Sequence, residues 1–73
     1  MKAGFAVSYK EPSWEWEDAP TTYFPTFDEA NNFYQRAIRL DARFRCFRLD
    51  EIKASGDWIK LEEIDLGPQK NSK

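Results

Sequence analysis

The segment from Thr26 to Leu40 carries the strongest local signal in the chain, and it predicts a single amphipathic helix. Thr26 is followed three residues later by Glu29, which is the spacing of a capping box, where each side chain accepts a backbone N–H of the other residue. With successive residues about 100° apart, the apolar side chains fall in one arc of about 160° that can pack against a sheet. That arc contains Phe27, Ala30, Phe33, Tyr34, Ala37, Ile38 and Leu40. We expect the helix to end near Leu40–Asp41, because Asp41 projects onto the apolar side.

One or two short strands are expected before this helix. Residues 5–9 alternate between large apolar and small or polar side chains, which is the period of a half-buried strand, and Pro12 ends it because proline cannot donate a ladder hydrogen bond. Residues 21–24 are β-prone and predict a second strand. Residues 11–18 offer a competing edge strand with both of their tryptophans on one face. The sequence leaves open which of these two pieces pairs with the first strand.

Two further strands, at residues 44–52 and 58–64, are predicted after the helix and should form a hairpin. Residues 54–57, Ala-Ser-Gly-Asp, separate them, and a loop of about four residues with a glycine is typical of such a turn. We expect a register in which the apolar residues of both strands face the same way. These residues are Phe47, Leu49, Ile59 and Leu61.

Together these elements predict an α+β fold of two layers, in the order β(β)αββ. One amphipathic helix should pack on one face of a three- to four-stranded, mainly antiparallel sheet. A chain of 73 residues has room for one domain, which we place at residues 1–66, followed by a flexible C-terminal tail at residues 67–73. The strand order does not follow from these patterns.

Charge is sharply segregated along a chain whose net charge is only −2. Residues 36–48 contain all five arginines and one acid, whereas the stretches on either side carry six acids each. Arg36 and Arg39 should form an outward row on the helix, and Arg43 would extend it if the last turn continued. Such a row suits phosphates or the carboxylates of a partner, because arginine makes bidentate contacts. The alternative is a solvated helix face, with pairs to the acids of the last strand.

Trp14 and Trp16 alternate with Glu15 and Glu17, and they are the second candidate for a binding surface. Rigid aromatic side chains rimmed by charge are enriched where proteins bind one another. The structural alternative is that the tryptophans close an open end of a small core. We expect the acidic clusters to be ordinary surface charge and not a mimic of nucleic-acid phosphates.

The residues needed for catalysis or metal binding are largely missing from the sequence. There is no histidine, the usual general base near neutral pH, and the single cysteine, Cys46, lies mid-strand, where we expect a buried structural thiol. We therefore expect no enzymatic activity, no cofactor and no metal site. Neither a signal peptide nor an apolar run of about 20 residues is found, which favours a cytoplasmic protein without a membrane partner.

These features favour a small protein-binding module that acts by covering the surface of a larger protein or ribonucleoprotein partner. In size and architecture only, such a domain resembles the small inhibitors of host machinery that phages and mobile elements encode, such as anti-CRISPR proteins and phage inhibitors of RNA polymerase. No motif carries this resemblance, and no residue is transferred from it. The residues expected to contact the partner are Trp14, Glu15, Trp16, Glu17, Arg36, Arg39 and Arg43.

Two other functions remain open at this point. A single-stranded nucleic-acid-binding protein would use the segment from Arg36 to Arg48 for phosphates and exposed aromatic side chains for stacking on bases. The carboxylates on both sides of that segment disfavour this alternative, because they would repel the nucleic-acid backbone. A self-associating structural subunit is the third possibility, and the sequence is compatible with a monomer or a weak homodimer.

Overall fold

One helix and four strands make up the fold, in a computed structural model that describes residues 3–40 and 44–67. The strands are β1 (Gly4–Lys10), β2 (Thr21–Phe24), β3 (Cys46–Ile52) and β4 (Trp58–Asp65), and the helix is α1 (Phe27–Leu40). The sheet is antiparallel throughout, with the order β2-β1-β3-β4, and α1 packs on one of its faces. The predicted two-layer α+β fold is therefore confirmed. The predictions for Asp41, Arg43 and residues 68–73 lie outside the described residues.

Strand β1 pairs with β3 along one edge and with β2 along its other edge, and the segment 11–18 does not pair with it as a strand. Ser8 lies opposite Thr21, and their hydroxyls share a hydrogen bond of 3.0 Å. The expected edge strand over residues 11–18 is wrong, because this segment folds into turns and one turn of 3-10 helix at Trp16–Asp18. The backbone N–H groups of Trp14 and Asp18, and of Ala19 just after the segment, each bond at 3.0 Å to the carbonyl three residues earlier, so they do not enter a strand ladder.

Helix α1 starts where the capping motif predicts. The Thr26 hydroxyl accepts the backbone N–H of Glu29 at 3.3 Å, which satisfies one of the donors that a helix start leaves unpaired. Ala30 and Tyr34 are fully buried in the core. They pack with the sheet residues Val7, Phe47 and Leu49. The predicted arc is therefore confirmed in its middle.

The two ends of the apolar arc are less enclosed. Phe27 is exposed but contacts the ring of Phe5 edge-on, with 5.8 Å between the ring centroids. Leu40, at the last helical position, is 74% exposed. The predicted apolar arc is therefore buried in its middle and exposed at its two ends.

Strands β3 and β4 form the predicted hairpin, but a β-bulge changes its register. Leu49 lies opposite Glu62, whereas the next residue of β3, Asp50, lies opposite Lys60. Leu61 is therefore an extra residue in β4, and Glu62 takes the position across from Leu49. Phe47 and Ile59 face the same side, as predicted, with Phe47 opposite Ile64 and Ile59 opposite Glu51.

The face of the sheet that points away from α1, called the outer face below, is also partly buried. Side chains alternate between the two faces along a strand. Ala6 and Ser8, which flank a core residue of β1, therefore lie on the outer face, and both are buried. Their partners on β3 are Asp50, which is 1% exposed, and Arg48. Half of this face is thus closed to solvent without a second helix.

Candidate functional site

Tyr23 and Trp58 meet above the outer face although they belong to the two opposite edge strands. Their ring centroids lie 6.1 Å apart and the ring planes are at 86°, which is the edge-to-face arrangement that aromatic rings favour. Tyr23 lies opposite Ala6, and Trp58 lies opposite Ile52, so the two rings reach toward each other over the central strands. Both remain accessible, with 63% of Tyr23 and 41% of Trp58 exposed.

Small residues of β1 make this contact possible. Gly4 shares its row of the outer face with Ile52 and Trp58, and Ala6 shares the next row with Tyr23, so the rings pass over positions with little or no side chain. Gly4 is also required by the backbone, because a Cβ at this position would lie 2.9 Å from the carbonyl oxygen of Phe24. The glycine therefore lets β2 approach β1 where the aromatic pair forms.

An open cavity of about 500 Å³ lies at this end of the sheet, beside the aromatic pair. This volume is in the usual range of ligand sites, which is about 300–1,000 Å³. The Tyr23 hydroxyl and the Trp58 indole nitrogen are the only polar side-chain atoms among its lining residues. These residues include Gly4, Phe5, Tyr23, Phe24, Ile52 and Trp58. The cavity therefore suits an apolar group, and the lining residues that the structure describes carry no carboxylate, amine or thiol side chain for acid–base chemistry.

Trp16, a residue that the sequence selected, covers the opposite end of the outer face and is half-buried. Its ring centroid lies 5.1 Å from Lys10 Nζ and 5.4 Å from Arg48 Cζ, which are cation–π distances. The pKa of Glu63 is lowered mainly by its hydrogen bond with Lys60, and the nearby Trp16 indole and Arg48 charge act in the same direction. Trp16 is thus held by contacts within the chain.

Trp14 packs on the helix side of the sheet end. Its ring meets Phe44 edge-on at 5.8 Å, and Phe44 in turn meets Tyr9 at 4.9 Å. The two tryptophans therefore do not share one face, and that prediction is wrong because the segment wraps around the end of the sheet. These contacts match the structural alternative, in which tryptophans close an open end of the core. Glu15 and Glu17 are exposed beside them.

Arg36 and Arg39 are exposed on α1, as the helix projection predicts. Within residues 3–40 and 44–67, neither guanidinium has an ion-pair partner. Arg36 lines a second cavity, of about 300 Å³, together with Phe44, which Trp14 also contacts. The structure thus brings Arg36 and Trp14 together around one ring. It places both helix arginines on the side of the molecule opposite to the outer face.

The other described arginines bond within the fold. Arg45 donates from Nε to the carbonyl of Gly67 at 2.9 Å and from Nη2 to that of Leu66 at 3.4 Å. Arg48 donates from Nε to both oxygens of Asp50, at 3.2 and 3.1 Å. The arginine-rich segment is therefore not one continuous surface, because its strand members are used for internal contacts.

Cys46 is buried, as predicted for a structural thiol. Burial raises the pKa of the thiol, and the charge of Lys10 opposes this effect only in part. A thiol with a raised pKa carries little of the reactive thiolate at neutral pH. No group of three or more potential metal ligands occurs within the described residues.

Sequence reasoning missed Tyr23 and Trp58, although it placed both in strands. The signal that points to them is the spacing of Gly4 and Ala6, two small residues on one face of β1. That signal becomes readable only when β2 and β4 are known to be the two edges of the sheet.

Comparison of the chain with protein-family models, with curated proteins and with solved structures finds no match. Between residues 3 and 40 and between 44 and 67, no helix has both the length and the apolarity needed to cross a bilayer.

Proposed function

We propose that this chain is a small, non-enzymatic protein-binding module that acts by covering part of the surface of a larger protein or ribonucleoprotein partner. The observation that carries the proposal is the exposed aromatic pair of Tyr23 and Trp58, set beside an apolar cavity of about 500 Å³. Tyrosine and tryptophan are enriched among the residues that dominate binding energy, and such residues tend to fill pockets on the partner or to border their own.

A protein partner fits this site better than a free polar metabolite. The described lining residues carry two polar side-chain atoms and no charge, so their side chains offer no counter-charge to a phosphate or a carboxylate. One apolar side chain of a partner, such as a leucine, methionine or phenylalanine, can enter the cavity while the two rings bury more of their own surface around it. The apolar character of the described lining residues also supports a binding function over catalysis.

The residues chosen from the sequence take a secondary part in this proposal. Arg36 and Arg39 are free to contact carboxylates of a partner, but they lie on the other side of the molecule from the aromatic pair. A partner that reaches both sides must wrap around the end of the domain, where Trp14, Glu15 and Glu17 lie. We retain these residues, with Trp16 and Arg43, as contacts of such a wrapping partner only.

Nucleic-acid binding is the weaker alternative. Arg45 and Arg48 donate their hydrogen bonds to Gly67 and Asp50, which leaves fewer guanidinium groups for phosphates. We expect no binding of a labelled single-stranded oligonucleotide at about 50 mM salt. Micromolar binding that weakens steeply as salt is added would replace our proposal by this alternative.

The proposal is tested by capture of a partner from an extract of the source cell, followed by titration of the purified partner in a calorimeter. We expect Tyr23→Ala and Trp58→Ala each to weaken binding by roughly tenfold or more, the loss typical of a central aromatic contact. Leu40→Ala is the matched control, because Leu40 is the most exposed large apolar residue away from the site. Binding that survives both aromatic substitutions and is lost in Arg36→Glu/Arg39→Glu would move the interface to α1.

We further propose that the protein works in a reducing compartment such as the cytoplasm. Its single thiol is buried and has no second cysteine in the chain with which to form a disulfide. Inhibition of a larger assembly by occlusion is the role that a domain of this size and surface suits best.

A further inference from the structure

Strand β4 presents an open edge to solvent. It is the last strand of the sheet, and within the described ranges 3–40 and 44–67 only β3 pairs with it. Seven of its eight residues are exposed, the exception being Ile64. The unpaired N–H and C=O groups of such an edge can hydrogen-bond to another strand. The free edge of β4 can therefore accept one further strand.

The bulge at Leu61 places two opposite charges on the same face of this edge. Residues three apart in a regular strand point to opposite faces. Lys60 and Glu63 nevertheless lie opposite Asp50 and Arg48, both of which are on the outer face. Lys60 Nζ is also 2.8 Å from Glu63 Oε1, a contact that requires both side chains to be on one side.

We infer that β4 pairs with β4 of a second copy of this chain, in antiparallel orientation, about a two-fold axis between Leu61 and Glu62. In this register Lys60 of each copy lies opposite Glu63 of the other, so the two outer-face charges attract across the interface. The two four-stranded sheets then join into one continuous sheet.

The helix-facing side of β4 matches in the same register. Ile59 and Ile64 both lie on that side, opposite Glu51 and Phe47 of β3. Across the two-fold axis Ile59 of one copy meets Ile64 of the other, which adds an apolar pair to each ion pair. Without the bulge this register would bring residues from opposite faces together, so the extra residue Leu61 is what makes β4 complementary to itself.

This inference does not depend on the proposed function. Trp58 belongs to β4, but its ring contacts Tyr23 of the far edge strand over the central strands, so the β4 backbone edges can join without using either ring. The dimer would present two identical sites at opposite ends of the joined sheet, and a partner with two copies of its epitope would bind it more tightly than it binds a monomer.

The experiment is sedimentation equilibrium of the purified chain over a range of concentrations, with Lys60→Glu and Glu63→Lys studied alone and as an equimolar mixture. We expect the unsubstituted chain to dimerise and each variant alone to dimerise at least tenfold more weakly, because like charges then face each other at two positions. The mixture should recover dimerisation, since two carboxylates of one chain then face two amines of the other. Both variants lose the Lys60–Glu63 contact within the chain, so recovery in the mixture can come only from contact between chains.

Lys53→Glu is the matched control, because it reverses an exposed charge in the connection between β3 and β4, directly after β3, and should leave dimerisation unchanged. As a second measurement, amide protons of β4 should exchange more slowly at high concentration, when they become hydrogen-bonded. Tyr23→Ala, on the far edge strand, should weaken partner binding and leave dimerisation unchanged, which separates the two proposals.

Two results would overturn the inference. One is a strict monomer at concentrations up to about 1 mM, the level at which even an association of about −4 kcal/mol becomes visible. The other is a dimer whose dissociation constant is unchanged by both charge reversals, or whose dimerisation is not restored in the mixture, because its interface must then lie elsewhere.

Discussion

Arg48 Nε lies 3.2 and 3.1 Å from the two oxygens of the Asp50 carboxylate, at a place on the outer face where that carboxylate is almost completely removed from water. The Arg48 guanidinium also stands over the Trp16 ring. The Arg48–Asp50 ion pair and the Trp16 ring above it thus close part of the outer face to solvent. The stability of a buried carboxylate charge depends strongly on its ion-pair partner, because almost no water can solvate it.

Loss of the Arg48 guanidinium should therefore lower the free energy of unfolding more than loss of the Asp50 charge does. We expect Arg48→Met to lower the free energy of unfolding by about 2 kcal/mol, because it leaves a buried carboxylate unpaired. Asp50→Asn should cost about 1 kcal/mol, since Arg48 is partly exposed and stays solvated. Urea unfolding of both variants and of the double variant measures the coupling, and simple additivity would show that the pair does not interact.

Trp16 and Trp58 should behave as a structural and a surface residue, respectively. Trp16→Ala uncovers buried polar groups of the outer face, so we expect it to lower the thermal midpoint by roughly 10 °C. Trp58→Ala removes a ring that rests on an open cavity, and a fall of less than about 5 °C is expected. Thermal denaturation followed by circular dichroism checks this order, and a larger effect of Trp58→Ala would contradict the assignment of Trp58 to a binding surface.

Stability at alkaline pH should depend on Tyr34. Burial, with smaller contributions from the charges of Glu62 and Glu63, raises the pKa of Tyr34 to about 12 from an ordinary value of 10.0. The folded state therefore holds the phenolic proton more tightly than the unfolded state. The resulting stability is complete below about pH 10 and is lost as the pH rises toward about 12.

Tyr34→Phe should remove this loss. Between about pH 9 and pH 12 the unsubstituted chain is expected to lose about 2 kcal/mol more of its unfolding free energy than the variant does. Urea unfolding at several pH values tests this difference. Parallel pH profiles for the two proteins would show that the buried hydroxyl does not titrate as described.

A methyl group at Gly4 should disturb the pairing of β1 with β2. The added Cβ would lie 2.9 Å from the carbonyl oxygen of Phe24, so one of the two backbones must move. We expect Gly4→Ala to cost about 1–2 kcal/mol and to displace Tyr23 from Trp58. Chemical shifts of the Phe24 and Tyr23 amides should change most, and an unchanged spectrum with an unchanged midpoint would show that the close approach is relieved without cost.

The elements whose contacts are local could be predicted from the sequence alone. The start of α1 depends on a bond between Thr26 and Glu29, and the burial of Ala30 and Tyr34 follows from their spacing on one helix face. The β3–β4 hairpin likewise follows from alternation on both sides of a turn with Gly56, whose φ of 98° suits glycine. In each case the interacting residues lie close together in the chain, so periodicity and turn chemistry are sufficient.

The candidate binding surface, in contrast, depends on the tertiary structure. Only the sheet order brings Tyr23 and Trp58, at opposite edges, into contact over Gly4, and only the folded segment 11–19 shows that Trp16 is a cover. The bulge that aligns Lys60 with Glu63 has no local marker either. These relationships join residues far apart in sequence, and their geometry depends on packing and strand register that no single segment contains.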